Sequence, residues 1–86
     1  MSEKKTMSAK DVIYSAAALR GQRKFQEAID IVESNLADVE DWAQTIALLQ
    51  AFFAADEGGM TKKAQELARK LAAKEPGLPS IKRYLG

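Results

Sequence analysis

Residues 39–59, which read VEDWAQTIALLQAFFAADEGG, decide the fold of this chain. Apolar residues recur here at helical spacing, and no segment of the chain alternates with the period of two that is typical of strands. The larger apolar residues share one predicted helix face, namely Trp42, Ile46, Leu49 and Phe53. Leu48, Phe52 and several alanines widen that face until most of the circumference is apolar. Such a helix is usually central in its bundle or paired with a partner, so we expect an all-α fold built around it.

Capping and turn signals predict four helices and a short C-terminal turn. Asp38 and the acids that follow it are typical of a helix start, whereas residues 56–59, Asp-Glu-Gly-Gly, are the clearest break. Ser8 and Asp11 predict a second capped start. Pro79 suits the first turn of a final helical segment that folds back as a lid. The four predicted helices cover about 8–21, 24–37, 39–55 and 61–75.

The predicted organisation is one helical domain, residues 8–86, because 86 residues leave no room for a second core. Two antiparallel helical hairpins, 8–38 and 39–77, are followed by a C-terminal cap, 78–86. We expect residues 1–7 to form a mobile N-terminal tail.

Helical periodicity also predicts which side chains are buried. In the first helix the residues expected to face inward are Val12, Ile13, Ala16, Ala17 and Leu19. In the third helix Trp42 and Phe53 are expected in the core. Phe52 lies off their stripe, with Leu48 one turn before it, so we expect these two residues to form a partly exposed patch.

Charge is strongly segregated along the chain. Between Phe25 and Thr61 there are eight acidic residues and no basic one, whereas the flanks hold all 13 Lys and Arg against four acids. The segment therefore carries −8 and the flanks +9, which gives the net charge of +1. Segregation of this kind bears on association and steering rather than on fold, so it favours a protein that meets other macromolecules.

Composition argues against most catalytic chemistry. The chain has no Cys and no His, which removes thiolate catalysis, thiolate metal sites and the commonest general base. No glycine-rich phosphate loop is present, and the acids near Asp38 match no calcium loop. We therefore expect a non-enzymatic protein with no cofactor and no metal. A polar N-terminus and the lack of an apolar run of about 20 residues predict no signal peptide, no membrane span and a cytoplasmic location.

The helical hairpins carry a weak internal repeat. Residues 25–29, Phe-Gln-Glu-Ala-Ile, together with Gly59 and Pro76, resemble the tetratricopeptide repeat family over about residues 9–77. They match its aromatic-x-x-Ala-Ile opening of the second helix, its turn glycine and its closing proline. The sequence departs from the family at three positions, which are Ala16 for glycine, Glu40 for proline and Thr61 for an aromatic residue.

The resemblance implies a right-handed stack of two helical hairpins whose concave side binds a peptide or helix of another protein. Stacks of this kind normally need three or more units, so two units favour self-association or obligate pairing. We expect a small adaptor, co-chaperone or regulator whose groove between the first and third helices receives an apolar partner segment. The expected contact and rim residues are Tyr14, Ala16, Leu19, Arg20, Leu48 and Phe52.

Two alternatives belong to other classes. The first is a dimeric nucleic-acid-associated regulator that uses the basic residues of the fourth helix and the C-terminal tail, although a pI near 8 makes nucleic acid an unlikely partner. The second is a structural homodimer that pairs through the third helix.

Overall fold

The computed structural model describes residues 7–85, and these form helices joined by turns, with no strand among them. The prediction of an all-α chain is confirmed over that range. The helices are α1 (Ala9–Gly21), α2 (Phe25–Asn35), α3 (Asp41–Glu57), α4 (Thr61–Lys74) and α5 (Lys82–Leu85), with 3-10 turns at Leu36–Asp38 and Pro79–Ile81. Of the predicted mobile tail, residues 1–7, the first six residues lie outside the described range.

A side-chain cap forms at the start of α1, whereas α2, α3 and α4 begin without one, and the N-cap of α4 is Met60 rather than the predicted Thr61. The Ser8 side chain accepts a hydrogen bond from the Asp11 backbone N–H at 3.1 Å, which caps α1 as predicted. The third helix begins after Glu40, so the prediction of Asp38 as its N-cap is wrong. Asp38 instead ends a 3-10 turn that continues from α2. The Gln44 side chain holds this turn by donating to the backbone oxygens of Leu36 at 3.1 Å and Val39 at 3.0 Å.

The helices form a thin slab with α3 in its middle. Helix α3 packs against α1, α2 and α4, and α5 packs against α4. The molecule measures 49 × 27 × 16 Å, and 16 Å is about the depth of two helix layers whose axes lie 8–10 Å apart. Residues 7–85 add no third layer over α3, which therefore keeps an outward face that includes Trp42 and Ile46. Whether the hairpins stack as in tetratricopeptide repeats stays a prediction.

Burial on α3 differs from the prediction at Trp42, Leu48 and Phe52, whereas Phe53 is partly buried against the core. Its buried residues are mostly small, namely Ala43, Ala47, Leu48, Ala51, Phe52, Ala54 and Ala55. Trp42 is 71% exposed, so its predicted place in the core is wrong. Phe52 is only 1% exposed, so its predicted exposure is wrong too. The physical reason is that alanines let neighbouring helices approach closely, and this face of α3 therefore turns inward with the two large residues it carries.

The other helices follow the predicted patterns more closely. In α1, Val12 and Ala16 are buried and Ile13 and Leu19 partly buried, but Ala17 is exposed, contrary to prediction. The apolar stripes of α2 and α4 are buried, at Ala28, Ile29, Val32, Ala64, Leu67, Ala68 and Leu71. The C-terminal segment folds back as predicted through Ile81, which is fully buried, whereas Leu85 stays 42% exposed.

Candidate functional site: an exposed apolar stripe on α3

The uncovered face of α3 carries four large apolar residues, Trp42, Ile46, Leu49 and Phe53, which we name the α3 stripe. They recur at spacings of four, three and four, so they lie on one helix face over three turns. Trp42 is 71% and Ile46 43% exposed, while Leu49 and Phe53 are partly buried against the core. Large apolar side chains aligned on an open face are more typical of a contact surface than single exposed ones.

Arg20 of α1 borders the Phe53 end of the stripe. Its guanidinium donates to both carboxylate oxygens of Glu57, at 3.2 and 2.7 Å, and to the Gln50 side-chain oxygen at 2.7 Å. Its central carbon also lies 5.1 Å from the centre of the Phe53 ring. Because every part of this side chain has a partner on α3, Arg20 ties the C-terminal ends of the two helices together.

Helix α5 covers the opposite flank of α3. The Tyr84 ring meets Phe52 edge to face, with ring centres 5.5 Å apart. The Asp56 carboxylate accepts hydrogen bonds from the Tyr84 hydroxyl and from Arg83. The Tyr84 hydrogen bond, helped by Arg83, holds the pKa of Asp56 below its usual value, although partial burial opposes this. Asp56 therefore anchors the C-terminal segment beside Phe52 and leaves the α3 stripe open.

The Trp42 end of the stripe is acidic. Asp38, Glu40 and Asp41 are all exposed and lie within four residues of the Trp42 ring in sequence. Asp41 pairs with Lys74 at 3.3 Å, but Asp38 and Glu40 form no ion pair with any residue from 7 to 85. At the other end, by contrast, Asp56 and Glu57 are both paired with arginines. Negative charge is therefore left over at one end of the stripe only.

The acidic middle segment and the basic flanks of the sequence form ion pairs with each other in the folded molecule. The ion pairs between helices all join an acid of the middle segment to a base of the flanks, namely Arg20–Glu57, Lys63–Glu33, Lys70–Glu33, Lys74–Asp41 and Arg83–Asp56. The ion pair with Glu33, at 2.8 Å, raises the pKa of Lys63 despite partial burial. The acidic α2 and α3 are thus held by bases from α1, α4 and α5.

The same pairing occupies much of the predicted basic surface. Four of its seven residues pair with carboxylates, namely Lys63, Lys70, Lys74 and Arg83, which leaves Lys62, Arg69 and Lys82 outside the ion pairs of residues 7–85. Carboxylates beside these bases lower the positive potential that a phosphate backbone would meet.

The structure does not bring the predicted contact residues together on one surface. Ala16, Leu48 and Phe52 are at most 1% exposed, and Leu19 is partly buried against the core. Helices α1 and α3 pack directly on each other, so the inward side chains predicted to line a groove between them, Ala16, Leu48 and Phe52, are buried.

Two predicted rim residues remain accessible. Tyr14 is 64% exposed with the Lys10 ammonium 5.9 Å from its ring, and Arg20 borders the α3 stripe.

Sequence reasoning missed Trp42 and Ile46 as surface residues. The signal was the run of alanines on the other side of α3, which marks the face that packs closely.

Other kinds of site find no support among the described residues. Residues 7–85 hold no group of three or more Asp or Glu side chains placed to bind a metal ion. Within the same range, no helix combines the length and the apolar character needed to cross a membrane.

Comparisons with protein-family models, curated proteins and solved structures found no match for this chain.

Proposed function

We propose that this protein is a non-enzymatic interaction module, a small cytoplasmic adaptor, co-chaperone or regulator that holds a segment of another protein against the α3 stripe. The two helical hairpins would serve as a tetratricopeptide-like scaffold, with α1 on one flank of the stripe and α5 on the other. The binding surface is thus the outer face of α3, in place of the predicted groove between α1 and α3.

The observation that carries this proposal is the exposure of Trp42. Tryptophan is among the residues most enriched at energetically important contact positions. Covering the 71% of Trp42 that is open removes on the order of 100–180 Å² of surface from water. That area corresponds to about 2.5–4.5 kcal/mol before the entropic costs of association. Arg20, which is held in place by Glu57 and Gln50, gives the far end of the stripe a fixed polar border.

The charge pattern also favours a protein partner over a nucleic acid. Since most bases of α4 and α5 are already paired with carboxylates, the nucleic-acid alternative gains nothing from the arrangement of side chains. An apolar stripe with polar borders, in contrast, is the usual anatomy of a surface that binds a protein segment.

Affinity capture from native cell extract tests the proposal when three baits are compared. Trp42→Ala removes the most exposed ring of the stripe, whereas Tyr14→Ala removes a ring of similar exposure, 64%, that lies outside it. We expect a partner captured by the unaltered protein and by Tyr14→Ala to be lost from Trp42→Ala. Equal capture by all three baits, with circular dichroism showing that each is folded, would contradict the proposal.

A further inference from the structure

We infer that the segment held by the α3 stripe is an amphipathic helix of about three turns with basic residues at the end that lies on Trp42. This inference rests on the proposed function and specifies the chemistry of the partner.

The shape of the stripe matches a helix. Spacings of four, three and four are those of a coiled-coil seam, in which apolar residues return to the same side every 3.5 residues. From Trp42 to Phe53 the stripe is about 16 Å long at 1.5 Å per residue. Two residues border the stripe within α3, Thr45 and Gln50, and both are uncharged. A second helix can therefore lie alongside the stripe without electrostatic repulsion from these two positions. A partner helix needs three turns and the same spacing to fill this seam.

The difference in charge between the two ends of the α3 stripe sets the orientation of the partner helix. At the Trp42 end, three acids and Lys74 give −2, and the positive end of the α3 dipole adds only about half a charge. At the Phe53 end, Arg20 and Arg83 balance Glu57 and Asp56, and the negative end of the α3 dipole adds about half a negative charge, so this end is still less negative than the Trp42 end. A lysine or arginine of the partner is therefore favoured beside Trp42, where the indole face also attracts a cation. An acidic end placed there would meet repulsion.

The size of the stripe argues for a single helix rather than a second copy of this chain. Its open apolar surface is on the order of 200–300 Å², counting Trp42 and Ile46 as the main contributors. A stable dimer buries about 800 Å² of total surface on each partner, so a second copy of this chain would have to cover much surface beyond the stripe, whereas one short helix need cover only the stripe and its borders. A parallel pair of α3 helices would in addition bring Asp38 and Glu40 against the same acids of the other copy.

Two synthetic helical peptides test the inference. Both are 14 residues long with leucine at spacings of four, three and four, and one carries three lysines at one end where the other carries three glutamates. Trp42 is the only tryptophan of the chain, so its fluorescence reports binding directly. We expect the lysine peptide to bind at least about tenfold more tightly than the glutamate peptide at low salt, and added salt to reduce this difference.

Matched variants of the full chain locate the charge effect. Asp38→Asn with Glu40→Gln should weaken binding of the lysine peptide about fivefold, since exposed pairs each contribute a fraction of a tenfold change. Glu27→Gln with Asp30→Asn makes the same change in net charge on the exposed side of α2 and should alter binding less than twofold.

Three results would overturn the inference. They are equal binding of both peptides, binding of neither, or a dimer in sedimentation that Trp42→Ala dissolves. If these occur while capture from extract still depends on Trp42, the proposed function stands and only the partner chemistry is wrong. Loss of that dependence as well would remove both.

Discussion

The two faces of α3 differ in a way that hydrophobicity alone does not explain. The buried face consists of five alanines with Leu48 and Phe52, whereas the exposed face carries Trp42 and Ile46. Both faces are apolar, but the one with the smaller side chains is inside. What distinguishes them is how closely another helix can approach, because a row of alanines lets backbones come near while large side chains keep them apart.

Hydrophobicity alone therefore does not decide which face of α3 is buried, since both faces are apolar and the inner one is the face that carries five alanines. The alanine face also carries two large residues, Leu48 and Phe52. The Phe52 ring packs against the rings of Phe53 and Tyr84. The large residues on the other face are left for solvent or a partner. A buried apolar face and an exposed apolar stripe can therefore lie on one helix, separated along their borders only by uncharged polar residues such as Thr45 and Gln50.

The largest expected effect is at Phe52. Phe52→Ala should destabilise the protein by about 3–5 kcal/mol, because the ring is buried and its removal leaves a cavity among α3 and α5. Urea denaturation followed by circular dichroism measures the free energy of unfolding. A loss under about 1 kcal/mol would mean that the ring is not part of the core.

A smaller effect is expected at the anchor of the C-terminal segment. Asp56→Asn should cost about 1–2 kcal/mol, since hydrogen bonds to a charged group are replaced by weaker ones at a partly exposed site. The lowered pKa of Asp56 also makes this contribution depend on pH. It is present above about pH 4, where the carboxyl is ionised in both folded and unfolded chains, and is lost as the pH falls through the folded-state pKa.

Thermal unfolding between pH 7 and pH 2 measures this dependence. The difference in melting temperature between the unaltered protein and Asp56→Asn should shrink as the pH falls below 4. Tyr84→Phe, which removes only the hydroxyl, should reproduce part of the loss at pH 7. A difference that is constant over the whole range would show that Asp56 does not anchor the segment through its charge.

The smallest effect on stability is expected at Trp42. Trp42→Ala should change the free energy of unfolding by no more than about 0.5 kcal/mol, because most of the ring already lies in solvent. The same denaturation experiment as for Phe52→Ala measures it. A cost near that of Phe52→Ala would place both rings in the core and erase the contrast between the two faces.

Sequence reasoning predicted the helices themselves and most of their ends. Ser8 as the cap of α1 followed from local chemistry, and the buried stripes of α2 and α4 followed from polar residues that define an opposite face. The start of α3 was missed because Asp38 competes with a 3-10 turn that a distant side chain, Gln44, stabilises.

The orientation of α3 could not be predicted in the same way. With apolar residues nearly all round, periodicity offers no inner side, and choosing the face with the larger residues as the inner one is wrong at Trp42, which is exposed, and at Phe52, which is buried. Of the predicted contact residues, Tyr14 is exposed and Arg20 partly exposed, and Arg20 is the one that borders the α3 stripe. Which face of α3 is buried depends on how the helices pack together, and the spacing of apolar residues along one helix does not contain that information.

Fluorescence quenching of Trp42 in the folded protein shows whether the α3 stripe is open to solvent, because no other tryptophan contributes to the signal. We expect the emission maximum of the native protein to lie close to that of free tryptophan, and acrylamide to quench it nearly as strongly as in the unfolded chain. A blue-shifted emission that acrylamide reaches only after unfolding, at a concentration where sedimentation shows a monomer, would contradict the account.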